Sequence, residues 1–70
     1  MNDKYTLQIF WSDEDEGYIV ICQEFTGFSA FGETREEALR EAEIALKLTV
    51  QTYLQKNIPL PTPRKELLVA

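Results

Sequence analysis

Between residues 5 and 11 apolar and polar side chains alternate, with Tyr5, Leu7, Ile9 and Trp11 on one side and Thr6, Gln8 and Phe10 on the other. This period of two predicts a strand with one face firmly buried. The polar, acidic run SDEDEG at residues 12–17 interrupts the pattern and predicts a hairpin loop in which Gly17 is free to take a positive φ. YIVIC at residues 18–22 is apolar on both faces. Such a run suits the centre of a sheet, one face meeting a helix and the other meeting something else. Residues 23–27 (QEFTG) turn the chain, residues 28–31 make a short third strand, and Gly32 lets the backbone swing towards a helix.

From about residue 35 to residue 55 the period changes to that of a helix. At about 100° per residue, Ala38, Leu39, Ala42, Ala45, Leu46, Thr49, Val50 and Tyr53 share one face. The alanines suit a helix lying close on a sheet. Thr34 and Glu37 have the spacing of a capping box, and Glu36 and Glu37 place negative charge at the positive end of the helix dipole. Asn57 can take the left-handed conformation that ends a helix, and Pro59 forbids continuation. Residues 58–63 (IPLPTP) read as an extended return, and residues 66–70 (ELLVA) as a last short strand. The expected fold is α+β in the order β-β-β-α-β: a three-stranded antiparallel meander, one long helix packed on one face, and a short C-terminal strand. Ile44 and Leu48 lie one turn apart, off the helix face that meets the sheet.

Composition narrows what such a domain can be. Seventy residues without an internal repeat make a single domain, 1–70. A domain of this size buries only about 60% of its unfolded surface, and one core rarely supplies more than roughly 3–5 kcal/mol. One cysteine and no histidine leave no disulfide or zinc site to compensate, so self-association as a homodimer or higher oligomer is expected. Twelve acids against seven bases give a net charge of −5. That balance disfavours direct nucleic-acid binding, which needs clustered Lys and Arg, and suits a basic partner. The longest unbroken apolar run is residues 18–22, too short to span a membrane. With no signal peptide visible and Cys22 unpaired, the expected location is the cytoplasm.

Several pieces in order resemble the HicB-like antitoxin family. An acidic hairpin, Asp13, Glu14, Asp15 and Glu16, runs into G-Y-x-V at Gly17, Tyr18 and Val20. A glycine turn at Gly27 follows, then G-x-T-x-E-E-A at Gly32, Thr34, Glu36, Glu37 and Ala38. Ala42, Ala45 and an I-P-x-P exit at Ile58, Pro59 and Pro61 complete the match, over residues 5–63. The resemblance implies a partial RNase H-like fold that has lost its nuclease site, and a domain that binds and neutralises a HicA-type toxin, a small basic mRNA interferase. The chain departs from the family where the turn P-D-L-P-G becomes QEFTG at residues 23–27 and where Phe28 replaces a frequent cysteine. Its end at Ala70 leaves no room for the DNA-binding segment of longer members, so a stand-alone domain is expected.

Candidate chemistry is sparse. The carboxylates of residues 13–16 invite a hard cation, but the glycine comes at the fifth place and no glutamate follows at the EF-hand distance. They read instead as a solvated loop, or as the contact for a basic protein. An RNase H-type nuclease needs carboxylates converging from strands on two metal ions, and the predicted strands carry no internal Asp or Glu. Without histidine, and with Cys22 inside an apolar strand, general-base and thiol catalysis lack their players. The expectation is no enzyme, no cofactor and no metal. Trp11, Phe10 and Phe28 lack the basic neighbours of a base-stacking platform, so packing explains them better. The Pro-rich exit could serve as a polyproline ligand, but returning the chain to the sheet is the simpler role. The candidate protein interface is Asp13, Glu14, Asp15 and Glu16, with Tyr18 and Val20 on the doubly apolar strand, and Ile44 and Leu48 on the helix flank. Two functions fit: an antitoxin-like inhibitor of a HicA-type toxin, or a self-associating stand-alone structural or adaptor domain without a toxin partner.

Overall fold

A computed structural model describes residues 4–63. The elements run β1 (Leu7–Ser12), β2 (Gly17–Cys22), β3 (Ser29–Gly32) and α1 (Arg35–Gln55). The strands form one antiparallel sheet in the order β1-β2-β3, and the helix crosses one face of it. The α+β meander with a single covering helix is therefore as expected. The last short strand, at residues 66–70, falls outside the described residues.

Register decides which side chains share a face. Leu7 pairs with Cys22, Ile9 with Val20 and Trp11 with Tyr18, while Val20 pairs with Ala30 and Tyr18 with Gly32. All of these point towards the helix. The alternate set, with Phe10 opposite Ile19 and Ile19 opposite Phe31, points the other way. Strand β1 starts two residues later than the alternation suggested, and its expected firmly buried face is overturned. Ile9 and Trp11 remain 40% and 50% exposed. The helix packs on β3, less on β2 and least on β1, so the outer strand has the right phase but no cover.

The turn between β1 and β2 also differs from expectation. Glu16, not Gly17, takes the positive φ of 52°. Gly17 is needed for space: a Cβ there would run into the ring of Phe31. Ser12 Oγ closes the turn by donating to Asp15 Oδ2 (2.9 Å) and accepting from the Asp15 N–H (3.3 Å).

The helix begins and ends where its caps require. The Glu37 N–H donates to Thr34 Oγ1 at 3.0 Å, with Thr34 in extended geometry. The return bond of the box is shifted by one residue, Glu37 Oε1 accepting from the Glu33 N–H at 3.2 Å. Gly32 lets this start sit directly on β3, since any Cβ would collide with the backbone of Ala38. At the far end Asn57 takes φ 57°, the Ile58 N–H donates to the Tyr53 carbonyl and the Asn57 N–H to that of Leu54. These two bonds make a Schellman motif.

The core has two parts. Val20 sits under Ala38 and Ala42, whose small side chains bring the helix close. Cys22, Phe25, Leu46 and Val50 form the second, bordered by Tyr5, Leu7, Phe28 and Tyr53. Phe25 lies in what reads as a polar turn, yet it is 3% exposed and meets the rings of Tyr5 and Tyr53 edge-on at 5.0 and 5.2 Å. Leu39, expected on the covered face, is 42% exposed. It lies at the margin of the stripe. Val50, further round still, is buried because the Phe25 loop packs with it.

Candidate protein-binding surface

The expected interface residues fall in separate places. Asp13, Glu14, Asp15 and Glu16 form the exposed β1–β2 turn. Asp13 Oδ1 accepts from the indole Nε1 of Trp11 at 2.7 Å, which fixes that ring beside the turn. Tyr18 is half-buried on the helix side, edge-on to Trp11 at 5.2 Å, with the Arg35 guanidinium 5.4 Å from its ring centroid. This stack of indole, phenol and guanidinium, a cation–π arrangement, anchors the first helical turn to the hairpin. Val20 is 0% exposed beneath Ala38 and Ala42. It belongs to the core and has no surface to offer a partner, because β2 is the central strand and Val20 points at the helix. Ile44 and Leu48 are 51% and 57% exposed on the helix surface turned away from the sheet. The fold does not bring this pair together with the acidic turn.

A second exposed surface was only partly legible. Phe10, Ile19 and Phe31 lie directly opposite one another across the three strands, on the face without the helix. Phe10 and Phe31 are 47% and 43% exposed. A shallow open recess of about 280 Å³ lies beside them, lined by Asp15, Ile19, Ser29, Ala30 and Phe31. The available signals were the doubly apolar run of β2 and the position of Phe10, out of phase with its apolar neighbours.

Among the described residues, pKa shifts fall on Cys22 and Tyr5. Burial pushes the Cys22 thiol up from its ordinary value, and the Glu24 carboxylate, 3.5 Å from Sγ, adds to the shift. The thiol therefore stays protonated at neutral pH and packs as a small apolar group. Burial likewise raises Tyr5, with smaller contributions from Glu24 and Cys22. The Glu24 carboxylate is itself engaged, accepting from the Thr6 N–H at 3.0 Å and Thr6 Oγ1 at 3.1 Å. Among the described residues no group of three or more His, Cys, Asp or Glu side chains is placed to hold a metal ion. No helix among them is long and apolar enough to cross a membrane.

The exposed features of the described residues are an acidic turn, an apolar sheet face and an aliphatic helix flank. The family described as HicB_like antitoxin of bacterial toxin-antitoxin system matches residues 4–67. The chain belongs to the HicB-like antitoxin family. No curated protein and no solved structure gives a significant match. The match spans all the described elements, so the capped helix, the Gly32 contact and the acidic turn are all features of a HicB-like domain in this chain.

Proposed function

We propose that this HicB-like domain is an antitoxin-like binding module that neutralises a small basic HicA-type mRNA interferase by covering it. Membership of the antitoxin family over residues 4–67 carries the reading. The net charge of −5 supports it, as does a turn of four consecutive acids. The Glu14 and Glu16 carboxylates make no hydrogen bond among the described residues. The module binds rather than catalyses, with neither metal nor cofactor, and acts on the toxin rather than on nucleic acid. Charge at the turn steers the encounter and sets its salt dependence, whereas apolar contacts hold the complex. Replacing all four acids by Ser or Asn slows association most at low salt and leaves the domain folded. Co-expression with a HicA-type toxin encoded beside the gene rescues growth; absence of rescue and of co-purification rejects the reading.

The domain works in the cytoplasm as a homodimer or higher oligomer. The exposed pair Ile44 and Leu48 supports a helix-flank seam, which is also the contact that a toxin-free adaptor would use. Sedimentation at micromolar concentration of the wild type and of Ile44→Lys with Leu48→Lys tests it: dissociation with an intact fold places the seam there.

A further inference from the structure

We infer that the helix-free face of the sheet, the row Phe10, Ile19 and Phe31 with its recess beside Asp15, is where the basic partner seats. The inference rests on the antitoxin reading and adds to it which face is used. The partner chemistry is an apolar side chain entering the recess, flanked by Lys or Arg side chains that meet the acidic turn.

Geometry comes first. Strands lie about 4.8 Å apart, so a row in register across three of them is roughly 10 Å wide. Two half-exposed phenyl rings stand at its ends and Ile19 lies between them. The Phe31 ring is laid over Gly17, where a Cβ would displace it, so the glycine is what lets the ring lie flat against the strand. Few residues carry most binding energy, and these are central, rigid and apolar or aromatic.

Charge then selects the occupant. No strand contains Lys, Arg, Asp or Glu. Of the described cations, Arg35, Arg40, Lys47 and Lys56 belong to the helix or its cap, on the opposite side of the sheet, and Lys4 precedes β1. The acidic turn opens beyond the next two strand pairs, Trp11 with Tyr18 and Ser12 with Gly17, and Asp15 itself lines the recess. The rim is therefore of one sign. A second copy docked by this same face would bring apolar area and four more carboxylates, its strands contributing no cation, whereas a basic protein completes both terms. The Ile44 and Leu48 flank is different, being bordered by Arg40, Glu41, Glu43 and Lys47 of both signs.

The test uses the full chain and an inactive variant of a HicA-type toxin, by surface binding kinetics. Phe10→Ser with Phe31→Ser is expected to weaken Kd at least ~30-fold, mainly through faster dissociation. Asp15→Asn is expected to lower the association rate a few-fold at low salt, and Ile44→Lys with Leu48→Lys to change Kd by less than about 2-fold. Should the double Ser variant not fold, isoleucine methyl NMR of the wild type decides: shifts on toxin addition at Ile19 and Ile21 support the inference, and shifts confined to Ile44 overturn it. Wild-type Kd in the folded Phe variant overturns the face while leaving the antitoxin reading in place. No binding by the wild type removes both. A wild-type dimer that the Phe substitutions dissociate overturns the inference in favour of a second copy.

Discussion

The two faces of the sheet are made from the same kinds of residue and meet opposite fates. On one, Val20 and Cys22 are 0% and 4% exposed under a helix whose contact stripe is Ala38, Ala42, Leu46 and Val50. On the other, Phe10 and Phe31 stand 47% and 43% exposed with no element of the described chain above them. The first face supplies the stability of the domain. The second contributes little to it, and large aromatics left open on so small a domain point to use by another molecule. Alternation in a strand says that there are two faces; only the neighbouring elements say which is covered.

That contrast can be broken from either side. The largest effect belongs to the covered face: Leu46→Ala removes packing from the cluster with Cys22, Phe25 and Val50, and a loss of about 3 kcal/mol is expected in urea melts. Next comes the helix seat. Gly32→Ala drives a methyl into the Ala38 backbone and should cost about 2 kcal/mol, read as a lower Tm. Thr34→Ala deletes the bond to the Glu37 N–H and is expected to cost about 1 kcal/mol; an unchanged denaturation midpoint would put the helix start elsewhere. On the open face, Phe10→Ser should change stability by no more than about 0.5 kcal/mol in the same melts. A loss comparable to that of Leu46→Ala would mean that this face is already packed, and the contrast would collapse.

The helix was the most legible element, because its period, its Thr34 cap and its Asn57 stop all agree on the same bounds. The strands were found to within two residues. What escaped was long-range. Phe25 sits between Gln23 and Gly27 in a stretch with turn composition, and only the fold shows it closing the space between Tyr5 and Tyr53. Its apolar character among polar neighbours was the one hint. Ile9 and Trp11 have the correct phase for burial, but three strands are wider than one alanine-seated helix can cover. Of the candidate surface, the acidic turn could be read directly. Val20 was misplaced because an apolar run does not say which of its alternate residues faces the helix. The Phe10, Ile19 and Phe31 row exists only through strand register, which no local pattern specifies.

One further bond bears on how the domain comes to be folded. The most extensive pairings join chain neighbours, β1 to β2, β2 to β3 and β3 to the helix, with less packing of the helix on β2 and β1. A topology built from such short-range pairings folds quickly, since little loop entropy is spent before contacts form. The hydroxyl of Tyr5, donating to the Pro61 carbonyl at 2.7 Å, reaches much further, across 56 positions. Its two partners meet only after the meander and helix have assembled, so it belongs to the native side of the folding barrier. Tyr5→Phe should then leave the folding limb of a chevron in place and raise only the unfolding limb. In that sense the phenol acts as a latch on a domain that has already folded, setting how long the domain stays shut.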